Sequence, residues 1–348
     1  MIQSSKTYIK DLDISLNHTI GIENLKNKSI LITGATGTIG SYIADMLLRY
    51  NQVQKANISI CLAGRDINKL MIQFGYWNDP YLRCVKYDVM GIINFDVTPY
   101  YIIHTAGNAH PVAFNSDPVG TILGNVLGTY NLLEFGRLHG SKRLLYVSSG
   151  EIYGQGDLSV KEYEESYSGY IDISSSRACY PSSKRTAENL CVSYTKQHGF
   201  ETVIVRPCHT FGPQFLPTDS RANVQFIRNV LDKKDIVMKS PGTQFRSYNY
   251  VGDCASAILT ILFNGKVGEA YNAANPKIRL TIAELASTIA KMTNRNVVYE
   301  EPALIDLSNR TPISKQILSS KKLELLGWKS AFSAEEGIKH TIDILQGK

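Results

Sequence analysis

Short apolar runs alternate with amphipathic stretches along the first 212 residues of the chain. The runs predict buried β-strands, at Ile30–Thr33, Ile58–Ala63, Cys84–Tyr87, Tyr101–Thr105, Arg143–Ser148 and Glu201–Arg206. Between them, apolar residues spaced for one helix face predict helices, at Thr38–Tyr50, Val119–Leu138 and Ser183–His198. This alternation predicts an α/β fold, in which a doubly wound parallel sheet carries helices on both faces. Such folds bind ligands at the carboxyl ends of their strands.

The alternation loosens after about Gly212, where the elements become shorter. Strands are predicted at Ile236–Met238, Ala270–Ala273 and Val297–Tyr299, and helices at Asn223–Leu231, Ala255–Leu262 and Ile282–Met292. We expect an N-terminal extension at 1–28, a main α/β domain at 29–212, and a smaller lobe at 213–348. Some elements of this lobe are expected to return to the main domain.

The stretch LITGATGTIG follows the first predicted strand and opens the first predicted helix. Its glycines have the spacing G-x-x-G-x-x-G, a variant of the dinucleotide-binding fingerprint. Glycine lets a pyrophosphate approach the backbone, and a helix N-terminus favours its negative charge. A purely structural turn is the alternative. If the loop binds a cofactor, the contacting residues are Gly34, Thr36, Gly37, Thr38, Ile39 and Gly40.

Composition narrows the class of protein. Of 348 residues, 43% are hydrophobic, which is enough to bury a large core. The net charge of +6 is spread along the chain, so it favours a pocket for an anionic substrate over a nucleic-acid surface. The six cysteines form no C-x-x-C pair, and no apolar run reaches the ~18 residues of a membrane span. We expect a cytoplasmic protein with reduced thiols, no metal site, and no nucleic-acid or membrane partner.

A tyrosine and a lysine stand four residues apart in the segment YPSSK, at Tyr180 and Lys184. On a helix they share a face, where the lysine can lower the pKa of the tyrosine and hold a nicotinamide ribose. A surface pair is the alternative, but Ser149 ends a predicted strand about thirty residues upstream, which favours a catalytic set. Other strand ends offer cofactor contacts, at Asp88 and Val89 for the adenine and at Thr105, Ala106 and Gly107.

From Ser29 to the C-terminus the chain resembles the extended short-chain dehydrogenase/reductases, which act on nucleotide sugars as epimerases, dehydratases and decarboxylases. The resemblance rests on the glycine loop, on YPSSK, and on NVLGTYNLL (125–133), VRPCHTFGP (205–213), GTQFRSYNYVGD (242–253), GEAYNAAN (268–275) and ELLGW (324–328). It implies a Rossmann-like fold with a smaller C-terminal substrate-binding lobe, and a nucleotide-sugar substrate. It places Ser149, Tyr180 and Lys184 in catalysis, Asn125 and Pro207 at the cofactor, and His209, Arg221 and Arg246 at the substrate.

The residues after Ser149 bear on the reaction. In this family a tyrosine takes a proton from a sugar hydroxyl while hydride leaves that carbon, usually C4, for the nicotinamide. The dehydratases resemble S-T-D-E-V-Y-G, whereas this chain reads SSGEIYG, with Gly150 at the place of the aspartate. Glu151 keeps the place of the glutamate, as in UDP-glucuronate decarboxylases, which the segment around Tyr180 also resembles. A decarboxylase is therefore favoured, and a 4,6-dehydratase, a 4-epimerase or a non-catalytic regulatory protein are the alternatives.

Several assignments keep a simpler alternative. Arg221 and Arg246 suit a diphosphate because a guanidinium donates two parallel hydrogen bonds, but each could form a surface salt bridge, and Glu151 could pair locally. The second predicted strand has Ala63 where an acidic residue would bind the ribose of NAD, and Arg65 follows. This favours NADP over NAD, unless Arg65 stacks on adenine.

The resemblance also implies a homodimer, in which two long helices of each chain form a four-helix bundle. The predicted helices Val119–Leu138 and Ser183–His198 are the candidates. Their packed face would comprise Leu123, Val126, Leu127, Leu190 and Tyr194. Packing within one chain would produce the same apolar pattern.

Overall fold

The computed structural model describes residues 2–303, 311 and 313–348. In chain order the strands are β1 (Ser29–Thr33), β2 (Ser59–Gly64), β3 (Leu82–Lys86), β4 (Tyr101–His104), β5 (Arg143–Val147), β6 (Glu201–Pro207), β7 (His209–Phe211), β8 (Ile236–Met238), β9 (Phe245–Tyr250), β10 (Ala270–Ala273), β11 (Arg279–Thr281), β12 (Val297–Tyr299) and β13 (Lys315–Gln316). The α-helices are α1 (Lys6–Asn17), α2 (Thr38–Gln54), α3 (Ile67–Phe74), α4 (Pro111–Ser116), α5 (Pro118–Leu138), α6 (Cys179–His198), α7 (Ala222–Leu231), α8 (Val251–Asn264), α9 (Ile282–Thr293), α10 (Lys321–Glu324) and α11 (Ala334–Leu345).

Seven parallel strands form the main sheet, in the order β10-β6-β5-β4-β1-β2-β3. Successive side chains of a strand point to opposite faces: Ile30 and Ile32 of β1 join the core of α2 and α8, whereas Leu31 joins that of α5 and α6. All three are fully buried, since helices cover both faces. The predicted doubly wound α/β fold is confirmed. The strand order reverses between β1 and β4, which is where such sheets bind their ligands.

Helix α6 begins at Cys179, four residues before the predicted start at Ser183. Pro181 lies in its first turn, where a missing backbone N–H costs no helical hydrogen bond. Tyr180 therefore stands in the first turn of α6, and Lys184 stands one turn further along. No helix in the described part of the chain is both long and apolar enough to span a membrane.

A second sheet has the order β11-β9-β13, and β7 also pairs with β9. The register sets Gln316 of β13 beside Arg246 of β9, and His209 of β7 beside Tyr248 of β9. Because alternate residues of a strand share a face, these four side chains lie on one face of the sheet. Strands β8 and β12 form a separate pair, while β10 completes the main sheet beside β6.

The N-terminal segment packs against α2, the helix that follows the glycine loop. Tyr8 of α1 is fully buried, and its hydroxyl donates to Asp45 of α2 at 2.7 Å. Asp45 also accepts from Trp77 Nε1 at 2.6 Å and from Gln214 Nε2 at 2.8 Å. Burial raises the pKa of Asp45 to about 6, because desolvation outweighs these hydrogen bonds. The buried carboxylate thus links α1, α2 and the segment after β7.

Candidate active site

The glycine loop follows β1 at the point where the strand order reverses. Gly34 has a left-handed backbone, with φ +70°, and a Cβ there would lie 2.7 Å from Thr105 Oγ1 and from the Ala106 amide nitrogen. A Cβ at Gly40 would lie 2.5 Å from the Gly34 carbonyl oxygen. Packing alone therefore requires these two glycines. At Gly37 φ is −82° and a Cβ would meet nothing nearer than 3.4 Å, so the N-terminus of α2 stays open to a pyrophosphate.

Further predicted cofactor contacts lie beside the glycine loop. They are Thr105 after β4, Asn125 of α5 and Pro207 at the end of β6. Thr105 Oγ1 donates to the Thr33 carbonyl oxygen at 2.6 Å. Asn125 is buried, and its Nδ2 donates to Ser183 Oγ at 3.0 Å, but its Oδ1 has no partner among the described residues. A buried acceptor without a donor is costly, so a dinucleotide here would satisfy it. The other predicted contacts surround the loop, with Thr36, Thr38, Ile39 and Ala106 half-buried, Gly107 exposed and Pro207 buried.

A positively charged side chain, Arg65, directly follows the carboxyl end of β2. Ala63 is fully buried inside the sheet, and Arg65 is exposed without an ion pair to any residue that the structure describes. Asp66 caps the N-terminus of α3. Asp88 is exposed and accepts from a backbone N–H two residues further on, while Val89 packs against α5. Among the described residues, the end of β2 therefore presents Arg65 to a cofactor. The neighbouring carboxylate, Asp66, is already engaged in capping α3.

Tyr180 and Lys184 face the same interior. Lys184 Nζ donates to the Val147 carbonyl oxygen at 2.9 Å and lies 5.8 Å from the centre of the Tyr180 ring. Burial lowers the pKa of Lys184 to about 7, and the Glu188 carboxylate offsets this only in part. Burial also raises the pKa of Tyr180 to about 12.

The lowering of the Tyr180 pKa by Lys184 stays a prediction, because burial dominates the pKa of this phenol in the protein alone. Desolvation of the phenol is the largest effect, the negative charge of Glu151 adds to it, and a hydrogen bond with Ser149 opposes it. Because Lys184 is itself desolvated and bonded to a backbone carbonyl, its charge does not outweigh the burial of the phenol.

Ser149 and Glu151 lie in the turn after β5. The side chains of Arg177 and Phe114 connect Glu151 to Tyr180. Ser149 Oγ accepts from the Glu151 amide at 3.1 Å. Arg177 Nη2 donates to both carboxylate oxygens of Glu151, at 2.8 and 3.0 Å. The Arg177 guanidinium lies 4.6 Å from the centre of the Phe114 ring. Phe114 in turn stacks on Tyr180, with ring centres 4.4 Å apart and planes 19° apart. The five residues form one continuous cluster, and the alternative of a local pair for Glu151 is observed.

Gly150 lies against β13 and the segment that follows it. A Cβ at this position would lie 3.1 Å from Leu318 Cδ1 and 3.3 Å from Gln316 Oε1. Gln316 is 2% exposed, and its Nε2 has no hydrogen-bond partner among the described residues. Gly150 therefore offers no acid to the site, and a neutral amide and a methyl group border it.

The predicted substrate residues differ in their partners. Arg246 is 2% exposed, and its Nη2 donates to the Ile313 carbonyl oxygen at 2.8 Å. It forms no ion pair within the described ranges, so its remaining donors suit an anionic ligand. Arg221 is half-buried and pairs with Asp219 at 2.6 Å, as the salt-bridge alternative predicts. Burial, with the charges of both arginines, holds the pKa of His209 well below its usual range.

The sequence model of the NAD dependent epimerase/dehydratase family matches residues 30–274. The chain belongs to this family. The resemblance to nucleotide-sugar epimerases, dehydratases and decarboxylases is thereby confirmed, as is an enzymatic function. The cofactor of this epimerase/dehydratase family member is a nicotinamide dinucleotide.

The similar relatives include several UDP-glucuronic acid decarboxylases. UDP-glucuronic acid decarboxylase 3 from Arabidopsis thaliana is 31% identical over 314 residues, which are 90% of this chain and 87% of the plant enzyme. UDP-glucuronic acid decarboxylase 6 from the same plant is 32% identical over 312 residues, with the same coverage. UDP-glucuronic acid decarboxylase 1 from Xenopus tropicalis is 30% identical over 317 residues, covering 90% of this chain and 71% of the frog enzyme.

Solved structures of other nucleotide-sugar enzymes share the fold. UDP-glucose 4-epimerase from Thermotoga maritima, solved with UDP-glucose, has a TM-score of 0.76 at 21% identity, covering 92% of this chain and 99% of that one. The dTDP-glucose 4,6-dehydratase from Streptomyces venezuelae, solved with NAD, has a TM-score of 0.77 at 22% identity, covering 92% and 97%. At these identities the likeness supports the fold alone.

Sequence reasoning missed three residues of the site. Arg177 stands three residues before Tyr180, so a cation on the preceding turn was the available signal. Phe114 and Gln316 are distant in sequence from Tyr180 and Gly150, and only the packing of α4 and β13 brings them there. No local pattern announces such contacts.

Proposed function

We propose that this enzyme oxidises C4 of a nucleotide-linked uronic acid and then releases carbon dioxide, as a UDP-glucuronate-type decarboxylase. The observation that carries the proposal is Gly150, which supplies no acid and is bordered by the neutral side chains of Gln316 and Leu318. Loss of water needs a proton on the leaving hydroxyl, whereas carbon dioxide leaves without one. The relatives at 30–32% identity, named as UDP-glucuronic acid decarboxylases, favour the same outcome.

The site residues divide the chemistry among them. Tyr180, once deprotonated, takes the proton of the 4-hydroxyl, and Ser149 donates a hydrogen bond to the same oxygen. A bound nicotinamide would supply the hydride acceptor for C4 and the hydride that reduces C4 again, so the whole reaction would be redox-neutral. In the 4-keto sugar the C5–C6 bond breaks, carbon dioxide leaves, and its electron pair passes to the ketone oxygen as an enolate. C5 then takes up a proton from solvent, which Glu151 relays to it, unless Glu151 only orders the substituents of C5.

The remaining assignments belong to the same proposal. Lys184 holds the ribose and stabilises the tyrosinate by its charge, alongside the catalytic residues Ser149, Glu151 and Tyr180. The cofactor contacts are Gly34, Thr36, Gly37, Thr38, Ile39, Gly40, Arg65, Asp88, Val89, Thr105, Ala106, Gly107, Asn125, Tyr180, Lys184 and Pro207. The substrate contacts are Ser149, Glu151, His209, Arg221 and Arg246. We keep the division into an extension at 1–28, a cofactor domain at 29–212 and a mainly substrate-binding lobe at 213–348.

Two other reactions share the first step. A 4,6-dehydratase would need a water or another side chain to replace the acid that Gly150 lacks, and a 4-epimerase would return hydride to the other face of C4. The alternative from another class is a regulatory protein that binds NADP without turnover. The cluster of Ser149, Tyr180 and Lys184 argues against it, because a sensor needs no proton acceptor at C4.

For the cofactor we propose a preference for NADP over NAD. Arg65 is exposed at the end of β2 and carries no ion pair among the described residues, so its guanidinium can meet a 2′-phosphate. For the compartment we propose the cytoplasm, since all six cysteines are described and none forms a disulfide.

For the assembly we propose a homodimer through α5 and α6. Leu123 and Leu127 are 39% and 43% exposed, and Val119 and Tyr130 extend the same stripe of α5. Of the predicted face, Val126 and Leu190 are half-buried. Tyr194 is buried within the chain, with its ring centre 6.2 Å from that of Tyr130. For Tyr194 packing inside one chain therefore explains the pattern, while the exposed stripe is what a partner copy would cover.

The product mass tests the function. We expect incubation with UDP-glucuronate to yield a product lighter by one carbon dioxide, and UDP-glucose, UDP-galactose and dTDP-glucose to yield none. Tyr180→Phe is the control for adventitious decarboxylation. A product lighter by one water, or an isomer of unchanged mass, would replace the decarboxylase with a dehydratase or an epimerase.

A further inference from the structure

We propose that Arg177 is a positioning residue, which holds Glu151 and the ring of Tyr180 in one arrangement for the oxidation at C4. The inference rests on the proposed function only in that first step, which all three candidate reactions share. Arg177 would act through its neighbours, without contact to the reacting atoms.

The contacts of Arg177 connect two separate elements. Its Nη2 donates to both oxygens of Glu151, in the turn after β5 that also carries Ser149. Its planar guanidinium lies on the ring of Phe114, and that ring stacks on Tyr180 of α6. Arg177 itself directly precedes α6. One side chain thus fixes the spacing between the two segments that bear the serine and the tyrosine.

The burial of this pair speaks against a purely stabilising role. The side chains of Arg177 and Glu151 are only 12% and 17% exposed. Nε of Arg177 is buried and has no partner among the described residues. Desolvating two charges and leaving a donor unsatisfied makes such a pair a poor source of stability compared with an apolar pair. A role in placing Glu151 and Tyr180 accounts for this cost.

Charge gives the pair a second effect on Tyr180. The Glu151 carboxylate raises the pKa of Tyr180, while Arg177 and Arg221 lower it. Lys184 Nζ lies 5.8 Å from the centre of the Tyr180 ring, and Ser149 lowers the pKa of the phenol. With both residues present, Arg177 offsets part of the larger effect of Glu151 on the phenol. Loss of Arg177 alone would leave the Glu151 charge unopposed.

The experiment is single-turnover cofactor reduction by UDP-glucuronate across a range of pH, which reports C4 oxidation alone. Four proteins form a cycle: wild type, Arg177→Met, Glu151→Gln and the double variant. Arg177→Met should slow hydride transfer about 10- to 100-fold and move the acidic limb of the profile about one pH unit upward. Glu151→Gln should move that limb downward, and the limb of the double variant should lie between those of the two single variants.

Two further variants separate positioning from folding. Arg177→Lys keeps the charge without the planar stack, so its acidic limb should stay in place while its rate remains low. Arg49→Met removes a comparable arginine–carboxylate pair, with Asp13 between α2 and α1, and should change neither rate nor profile. Thermal unfolding of each variant reports whether it is folded.

The outcomes distinguish this inference from the proposed function. If wild type oxidises no nucleotide sugar, the proposed function fails, and the role of Arg177 in its first step fails with it. If wild type is active and Arg177→Met matches its rate and pH profile, only the positioning role is overturned. The role is equally overturned if the double variant keeps the full upward shift of Arg177→Met, since Glu151 would then play no part.

Discussion

At the scale of single residues, the buried phenol of Tyr180 sets the first prediction. Tyr180→Phe should abolish turnover and leave cofactor affinity within about threefold, because the ring and its stack on Phe114 persist while the proton acceptor is lost. Titration with the nicotinamide cofactor and a turnover assay measure the two effects. Turnover near the wild-type rate would remove Tyr180 from the catalytic set.

Glu151 sets a second prediction, which separates two steps of one reaction. Glu151→Gln keeps the shape of the side chain but cannot relay a proton to C5. We expect overall turnover to fall by about 100-fold or more, while C4 hydride transfer in a single turnover at the optimum pH changes by less than about fivefold. Comparison of product release with cofactor reduction measures both. Full turnover would make Glu151 structural and favour a 4-epimerase.

Spacing along the chain predicts some of this site and misses the rest. Tyr180 and Lys184 share a helix face, so their four-residue spacing predicts the pair, and Ser149 follows the end of β5. Arg177 and Gln316 reach the site from other elements through tertiary packing. The pKa of Tyr180 was also beyond the sequence, because desolvation depends on burial, and burial depends on the whole fold.

At the scale of elements, the end of β2 decides the cofactor. Arg65→Ala should weaken NADP binding about 10- to 100-fold, the value of a lost charge-assisted hydrogen bond. NAD binding should change by less than threefold. If Arg65 instead stacks on adenine, the variant should bind NADP and NAD more weakly by the same factor. Arg83→Ala, on the neighbouring strand β3, is the control. An unchanged NADP/NAD ratio after titration with both cofactors would exclude Arg65 as the 2′-phosphate reader.

The contact between α1 and α2 carries a prediction on stability. The folded pKa of Asp45 is about 6, above the ordinary value of 3.8, so folding favours its protonated form. Asp45 therefore contributes stability below about pH 4, and this contribution is lost as the pH rises through about 6, a change of roughly 1–3 kcal/mol.

Urea unfolding of wild type and Asp45→Asn between pH 4 and 7 measures this effect. Asp45→Asn should be less stable at each pH, because its amide nitrogen cannot accept from Tyr8 or Gln214. The difference in unfolding free energy should shrink as the pH rises, since only wild type loses the contribution. A difference that stays constant across the range would show that Asp45 does not titrate there.

At the scale of the whole molecule, the main sheet could be read from the chain and the second sheet could not. Strands β1, β2 and β4 of the main sheet are apolar runs that helices follow, and right-handed crossovers leave few possible orders. Strand β9 instead pairs with β7, β11 and β13, which come from before and after it in the chain. Such pairings follow from tertiary contacts. Sequence patterns therefore could not predict that Arg246 and Gln316 lie side by side.

The exposed stripe on α5 makes the assembly of the whole molecule testable. Leu123, Leu127 and Tyr130 face solvent in one chain, although the opposite face of α5 packs against α6 and the sheet. A second copy that packs its own α5 and α6 against these helices would bury the three side chains in a four-helix bundle. Such a bundle has two-fold symmetry, which is usual in a homodimer. Sedimentation should therefore report a dimer at micromolar concentration, and Leu123→Asp with Leu127→Asp should convert it to a monomer that still binds cofactor.

The matched control is Leu325→Asp, because Leu325 is 86% exposed after α10 and lies outside the stripe. It should leave the dimer intact, since a charge on an isolated exposed leucine removes no contact. Wild type that sediments as a monomer would contradict the homodimer outright. A double variant that remains a dimer would place the interface elsewhere and leave the stripe on α5 as an exposed apolar surface without a partner copy.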